Sequence, residues 1–330
     1  MIQVKEIEIK DIEVKQNRKA KIKKYLKFLL IPGWRDPDIT AQEYEIEKIE
    51  SKRRIFRRFL TPLTIIGIIM ILFCVVLSVF APWLTTIPLQ EVTLPYYPSG
   101  VLPFEPPSPD HPLGTTFYGY DILARIIWGA RTTLSMALVP VIIAQMGGLV
   151  FGTISAYFGG WVDSLIMRVV DLMFVFPMII LVIVIAPMLG TDLLTTLTLY
   201  GLLFIPFYTR FMRSTVLQVK QMVYVKAAKT GGAKKFKIMF RHIVPNALSP
   251  MIIRFFGGMA RTILGIASLA WLGLVDQTVA NWGTDINWAQ EQFTAFMAAV
   301  WPGFFIGIAT IGFMLLGDGM RDALDPRLHI

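Results

Sequence analysis

The feature that most constrains this chain is a series of apolar stretches, each long enough to cross a lipid bilayer. Residues 134–158 contain no Lys, Arg, Asp or Glu, and a helix of that length would reach ~37 Å, more than the ~30 Å hydrocarbon core. Hydrophobic residues make up 55% of the chain, charged residues 17%, and the mean hydropathy is +0.58. A soluble domain does not need so much apolar material to fill its core. The sequence therefore predicts an all-α, polytopic integral membrane protein.

We predict six transmembrane helices. They occupy residues 60–84, 134–158, two helices within 172–208, 250–275 and 293–317. A single helix over 172–208 would reach ~55 Å, so we expect two helices that turn at Gly190, Thr191 and Asp192. Residues 85–133 form a Pro-rich connector outside the membrane. The core transmembrane domain is expected at 134–320, followed by a C-terminal tail at 321–330.

The distribution of basic residues predicts the orientation of these helices. The N-terminal tail, residues 1–59, contains 16 Lys and Arg against 10 Asp and Glu, and residues 210–241 contain 9 Lys and Arg. The loops on the opposite side contain only Arg125 and Arg131. Cytoplasmic loops of membrane proteins carry the excess of positive charge. We therefore expect both termini and the 210–249 loop in the cytosol, and the connector on the extracytoplasmic side of the cell membrane.

Few residues of this chain are candidates for chemistry. Cys74 is the single cysteine, and His111, His242 and His329 are far apart in sequence, so no spacing indicates a metal site. No phosphate-binding glycine loop, nucleophile elbow or HExxH motif occurs. We expect no cofactor, no metal, no nucleic-acid partner and no enzymatic activity in this subunit.

Isolated carboxylates near the predicted helix ends are better explained without catalysis. Asp121, Asp163 and Asp171 do not form a pair spaced for acid and base work. We interpret them as helix caps and interface anchors.

Two arginines lie in or beside the predicted fifth helix. A charged side chain in the middle of a bilayer costs ~2.5–3.5 kcal/mol on insertion scales, so Arg261 is expected to face protein or a water-filled cavity. It is a candidate for the transport pathway or for a subunit interface. Arg254 is expected to extend to the cytosolic interface.

The 210–249 loop is too long for a simple turn and too cationic for the membrane interior. Residues 224–229 and 234–240 have helical composition, and Gly231 and Gly232 separate them. We expect two short helices that meet at a glycine bend, with Pro245 ending the second one before the fifth transmembrane helix.

This loop contains small residues beside many lysines. Ala227, Ala228 and Gly232 would allow a partner surface to approach the backbone closely. The lysines suit either an acidic cleft or lipid headgroups, so composition alone leaves both a docking segment and a lipid-facing basic loop open.

The spacing within the loop resembles that of permease subunits of binding-protein-dependent ATP-binding cassette (ABC) importers. Their pattern is Glu-Ala-Ala, three residues, Gly, nine residues, a hydrophobic residue, any residue and Leu-Pro. Ala227, Ala228, Gly232 and Pro245 fall at matching positions. Lys226 stands where the acidic residue often lies, and His242 where an aliphatic residue lies. The RHIVPN segment resembles the RHILPN form of the peptide/nickel branch.

Three further segments resemble the C-type permease of the same branch. HPLGTTFYGYDILAR begins at His111, AYFGGWVDSLIMRVVD begins at Ala156, and GDGMRDALDPRL begins at Gly317. The resemblance covers about residues 60–328 and implies the type I ABC importer transmembrane fold.

The resemblance also implies partners and a site. The partners are a second homologous permease, two cytosolic ATPases that bind ATP and Mg, and an extracytoplasmic solute-binding protein. The implied ATPase-coupling residues are Lys226, Ala227, Ala228, Lys229, Gly231, Gly232, Lys234, His242 and Pro245.

The resemblance leaves the solute open. Peptides are the expected solutes, with oligosaccharides or nickel as alternatives. A self-contained channel or secondary carrier is the rival function, but it should show inverted repeats or intramembrane acids, and the best candidate, Asp192, lies at a turn.

Overall fold

The computed structural model of the protein describes residues 59–190 and 192–324. Most of the predicted 1–59 tail, Thr191 and residues 325–330 lie outside these described residues. The helices are α1 (Pro62–Val79), α2 (Ala81–Leu84), α3 (Ile122–Phe158), α4 (Gly160–Val175), α5 (Met178–Leu189), α6 (Leu193–Lys220), α7 (Val223–Thr230), α8 (Lys235–Ile238), α9 (Val244–Trp271), α10 (Trp282–Ala289) and α11 (Met297–Leu324). The all-α prediction is confirmed for this part of the chain.

Several of these helices are long and apolar enough to cross a membrane. Within the described ranges they are α1, α3, the continuous helical stretch Lys235–Trp271 that ends with α9, and α11. The pair α4 and α5, bent by 83°, adds a fifth if it counts as one span. Helix α6 is not among them, and its sequence includes Arg210, Arg213 and Lys220. The predicted count of six is therefore not confirmed.

Helix α3 begins earlier than the predicted second span. The Asp121 carboxylate accepts a hydrogen bond of 2.6 Å from the Ala124 N–H and caps the helix at its first turn. The helix therefore includes residues 122–133, which the sequence analysis assigned to the connector. It ends at Phe158 because Gly159 and Gly160 both have positive φ, at 66° and 57°.

The predicted third span is interrupted at a proline. Helix α4 ends at Val175, and α5 begins only after Pro177. Phe176 is extended, as expected for a residue before proline, so the helix cannot continue through it. The next turn agrees with the prediction, because α5 ends at Leu189 and the Asp192 carboxylate accepts a 3.0 Å hydrogen bond from the Thr195 N–H at the start of α6.

The longest helices pack closely through glycines. A Cβ atom on Gly152 of α3 would lie 2.7 Å from the Cβ of Met212 on α6. Gly258 of α9 faces the Tyr208 hydroxyl of α6 so closely that a side chain would not fit. Small residues at helix interfaces allow such close approach inside a membrane.

The helix bundle has two distinct ends. We call the end that carries residues 85–121 and α10 the connector end, and the end that carries α7 and α8 the loop end. Helix α3 runs from the first to the second, while α9 runs back, so that the Trp271 carbonyl accepts a 2.7 Å hydrogen bond from the Asn287 amide of α10.

Candidate functional site

Helix α7 at the loop end exposes one face and packs the other. Val225 is buried and Ala228 is half-buried against an apolar cluster that includes Val219 and Ile238. Residues three apart on a helix share a face, so Val225 and Ala228 attach α7 to the bundle. The outward residues are Lys226, Ala227 and Lys229, and all three are exposed.

The two glycines after α7 form its C-terminal cap. The Gly231 N–H donates to the Ala227 carbonyl at 2.9 Å, and the Ala233 N–H donates to the Ala228 carbonyl at 3.1 Å. Gly232 has a φ of 76°, in the left-handed region that favours glycine. The chain then turns into α8, with Lys234 exposed at the N-cap position.

Pro245 does not end the second short helix, and this expectation was wrong. Helix α8 continues through a π-helical turn, Met239–Ile243, directly into α9. The Val244 N–H reaches back to the Met239 carbonyl, as in a π-helix. Pro245 lies in the first turn of α9, where its missing N–H and its fixed φ are tolerated. His242 is half-buried within this turn.

Polar contacts connect the loop end of α3 to the neighbouring helices. The Lys220 ammonium of α6 donates to the carbonyls of Ala156 and Tyr157, at 3.1 and 3.0 Å, and so satisfies groups at the C-terminus of α3. The Tyr157 hydroxyl donates to the Lys235 carbonyl of α8 at 2.8 Å. These hydrogen bonds join α3 to both α6 and α8.

Two ion pairs join α4 to α6. Arg213 binds the Asp163 carboxylate through two contacts of 2.6 Å, and Arg210 binds Asp171 at 2.6 Å. Both acids were expected to be caps or anchors, and both arginines were expected in the 210–249 loop. That segment is mostly helical, because α6 continues to Lys220 and α9 begins at Val244. The pairs run in reverse order along the two helices, and no local pattern in the sequence indicates them.

Arg261 lines a groove between α6, α9 and α11. The groove has a volume of about 550 Å³. The Arg261 guanidinium lies 5.6 Å from the ring centre of Phe207, and that of Arg254 lies 4.6 Å from the ring centre of Phe211. Both arginines are exposed to the groove. The position of Arg261 agrees with the expectation that it faces a cavity, whereas Arg254, expected at the cytosolic interface, lines the same groove.

The connector end holds a fully buried ion pair. The Arg125 guanidinium bonds the Asp285 carboxylate of α10 and the Val92 carbonyl, and both side chains are at most 2% exposed. The Trp288 ring lies 4.2 Å from the same guanidinium. Burial raises the pKa of the Asp285 carboxyl, and the adjacent Arg125 opposes that rise. Sequence reasoning missed this pair.

The segment that begins at His111 is held together at the same end and contacts Trp282, which is distant in sequence. His111 Nδ1 lies 3.1 Å from the Asp121 carboxylate, and the Trp282 indole N–H donates to the Ile126 carbonyl at 3.0 Å. Over residues 59–190 and 192–324, no group of three or more His, Cys, Asp or Glu side chains is arranged to hold a metal ion.

Several helices of the bundle are long and apolar enough to cross a membrane, and arginines line a groove between three of its helices. These features define a multi-pass membrane protein. Residues 148–330 match the family described as "Binding-protein-dependent transport system inner membrane component". The chain belongs to this family. It is an inner-membrane permease subunit of a binding-protein-dependent transporter and is not itself the catalytic subunit, which confirms the resemblance.

Named relatives cover most of the chain. The dipeptide transport system permease protein DppC of Alkalihalophilus pseudofirmus is 34% identical over 296 residues, which are 89% of this chain and 95% of that protein. The glutathione transport system permease protein GsiD of Pectobacterium atrosepticum is 36% identical over 226 residues, 68% of this chain and 75% of that protein. The probable D,D-dipeptide transport system permease protein DdpC of Escherichia coli is 34% identical over 272 residues, 81% of this chain and 88% of that protein.

Proposed function

We propose that this permease imports peptides across the cytoplasmic membrane. Relatives named for dipeptide, D,D-dipeptide and glutathione transport support this solute class. The permease works with a second homologous permease, two cytosolic ATPases that bind ATP and Mg, and an extracytoplasmic binding protein.

The proposed topology has six membrane spans. Helix α6 completes the count when α4 and α5 form one span, because α6 lies along α3 from Gly201, which packs against Pro140, to Lys220. Its 28 residues extend ~42 Å, longer than the ~30 Å hydrocarbon core. The excess of Lys and Arg at the loop end and in residues 1–59 favours a cytosolic location for both termini.

We assign ATPase coupling to α7 and the bend that follows it. One observation supports this assignment: α7 is buried on one side and exposed on the other. Val225 packs against the bundle, while Lys226, Ala227 and Lys229 are exposed. Because α7 is packed against the bundle on one side, a partner that binds its exposed side can transmit a movement to the bundle. Closure of the ATPases on ATP would then displace α7 and α8 and, through Tyr157 and Lys220, act on α3 and α6.

A tryptophan on the exposed face of α7 tests this assignment. Ala227→Trp should reduce recovery of the ATPase subunits with the tagged permease by at least about tenfold, because docking surfaces tolerate little added bulk; a tenfold loss corresponds to ~1.4 kcal/mol. Ala228 is a poorer probe, since it packs against the bundle itself. Ser99→Trp, at an exposed residue of the connector end, is the matched control. Undiminished recovery with Ala227→Trp refutes docking at this face.

A further inference from the structure

The groove on α9 extends from the loop end deep into the bundle. Its lining on this helix begins at Pro250 and ends at Leu264, a distance of ~21 Å along the helix axis. Arg261 lies ~15 Å before Trp271, where α9 ends. It is therefore close to the middle of a hydrocarbon core that is ~30 Å thick.

The charge of the groove is predominantly positive. Arg254, Arg261 and Arg321 line it together with a single acidic residue, Asp318. Neither Arg254 nor Arg261 forms a salt bridge with any other described residue. An arginine at the bilayer centre is costly to insert, so such residues are typical of ion and solute pathways.

The two arginines on α9 are positioned by aromatic rings. The Arg254 guanidinium lies 4.6 Å from the ring centre of Phe211, and that of Arg261 lies 5.6 Å from the ring centre of Phe207. These distances allow a cation–π attraction that holds each guanidinium beside the groove, and its N–H donors suit a planar anion. A carboxylate matches that fork of donors.

The size of the groove suits a small molecule. A volume of about 550 Å³ falls in the range of small-molecule sites.

We propose that this groove binds the carboxylate of the solute in transit, first at Arg261 and then at Arg254 and Arg321. The inference rests on the proposed function and names the chemical group of the solute that the groove recognises. A peptide has a terminal carboxylate at neutral pH, whereas a neutral oligosaccharide has none and a nickel cation would be repelled. Among the solutes that the sequence leaves open, the groove selects peptides.

Charge-selective labelling of a thiol in the groove tests the proposal without depending on transport. The complete importer is reconstituted with Met314→Cys on α11, in a chain whose single native cysteine, Cys74, is buried. An anionic methanethiosulfonate should react about tenfold faster than a cationic one. Arg254→Gln with Arg261→Gln should abolish that preference, and Arg261→Lys should preserve most of it. Met297→Cys, at the other end of α11, is the control thiol and should show no such preference.

Protection of the Met314→Cys thiol identifies the ligand. Alanyl-phenylalanine should slow the labelling, and its C-terminal amide should not. Protection by anionic lipid instead of the dipeptide would overturn the proposal in favour of a headgroup site. Slow labelling by both reagents would mean that the second permease covers the groove. Equally rapid labelling by both would mean that the positive charge of the groove is neutralised. Either result would also overturn the proposal.

Uptake into the same vesicles separates this inference from the proposed function. Arg261→Gln should reduce import of alanyl-phenylalanine about tenfold at saturating binding protein, with recovery of the ATPases unchanged. Arg131→Gln, at an exposed arginine outside the groove, should leave import unchanged. Absence of dipeptide import by the wild type would count against peptide transport, while normal import by Arg261→Gln would refute the carboxylate site.

Discussion

The two ends of the bundle differ in how their charged residues are placed: an ion pair is buried at the connector end, and lysines are exposed at the loop end. At the connector end, Arg125 and Asp285 are almost completely buried and bind each other and the backbone of the same chain. At the loop end, Lys226 and Lys229 are exposed, and α7 is packed on one side only. Buried charges must be paired where they lie, whereas exposed ones remain available to a partner.

Aromatic rings pack around the buried ion pair of the connector end. Tyr118 and Trp288 meet edge to face with ring centres 4.8 Å apart at the connector end, beside the buried Tyr120. At the loop end, Val223 is 81% exposed and Phe236 is 64% exposed. The connector end pairs its buried charges within one chain, while the loop end leaves the lysines of α7 exposed. Substitutions should therefore affect stability at the first end and coupling at the second.

The largest effect is expected from breaking the buried ion pair of the connector end. Asp285→Ala leaves the Arg125 charge without its partner, and removing one member of a buried pair costs ~3–5 kcal/mol. We expect a marked fall in the unfolding temperature of the purified permease, followed by tryptophan fluorescence. The double variant Arg125→Leu with Asp285→Leu should be more stable than Asp285→Ala, since it buries no charge. Wild-type stability of Asp285→Ala would show that the connector end does not depend on the pair.

This pair also shows what the sequence leaves hidden. Arg125 and Asp285 are separated by 160 positions, and nothing local distinguishes Arg125 from a loop arginine. The predicted second span therefore began at residue 134, although the helix begins at Ile122. The turn at Gly190 and Asp192 could be predicted, because the residues that form it are neighbours in the sequence.

At the loop end, the same limit applies to residues whose partners lie on other helices. The helical halves around Gly231 and Gly232 follow from composition and glycine conformation. The role of Pro245 does not, because a π-helical turn supplies the hydrogen bond that lets the helix continue past it. The ion pairs of Arg210 and Arg213 require knowing that α4 lies beside α6.

A matched pair of glycine substitutions compares the two ends directly. Gly232 and Gly100 have φ of 76° and 79°, and a Cβ atom on either would meet no atom within 4 Å. Valine therefore introduces the same backbone strain at both sites, ~1–3 kcal/mol. We expect Gly232→Val to insert normally and hydrolyse ATP in the assembled importer, yet reduce solute uptake about tenfold in reconstituted vesicles. Gly100→Val should retain coupled uptake. Equal loss in both variants would contradict a coupling role specific to the loop end.

The smallest effect is expected from removing one hydroxyl between α3 and α8. Tyr157→Phe deletes the hydrogen bond to the Lys235 carbonyl but keeps the ring beside the Lys220 ammonium. Such a bond contributes ~0.5–1.5 kcal/mol, so amide hydrogen exchange in residues 235–238 should rise by about twofold to twelvefold. Tyr118→Phe removes a hydroxyl that forms no hydrogen bond among the described residues, and exchange in α10 should not change. Unaltered exchange in α8 would mean that the Tyr157 hydroxyl does not stabilise this helix. The proposed coupling from α8 to α3 would then lack the hydrogen bond on which it is based.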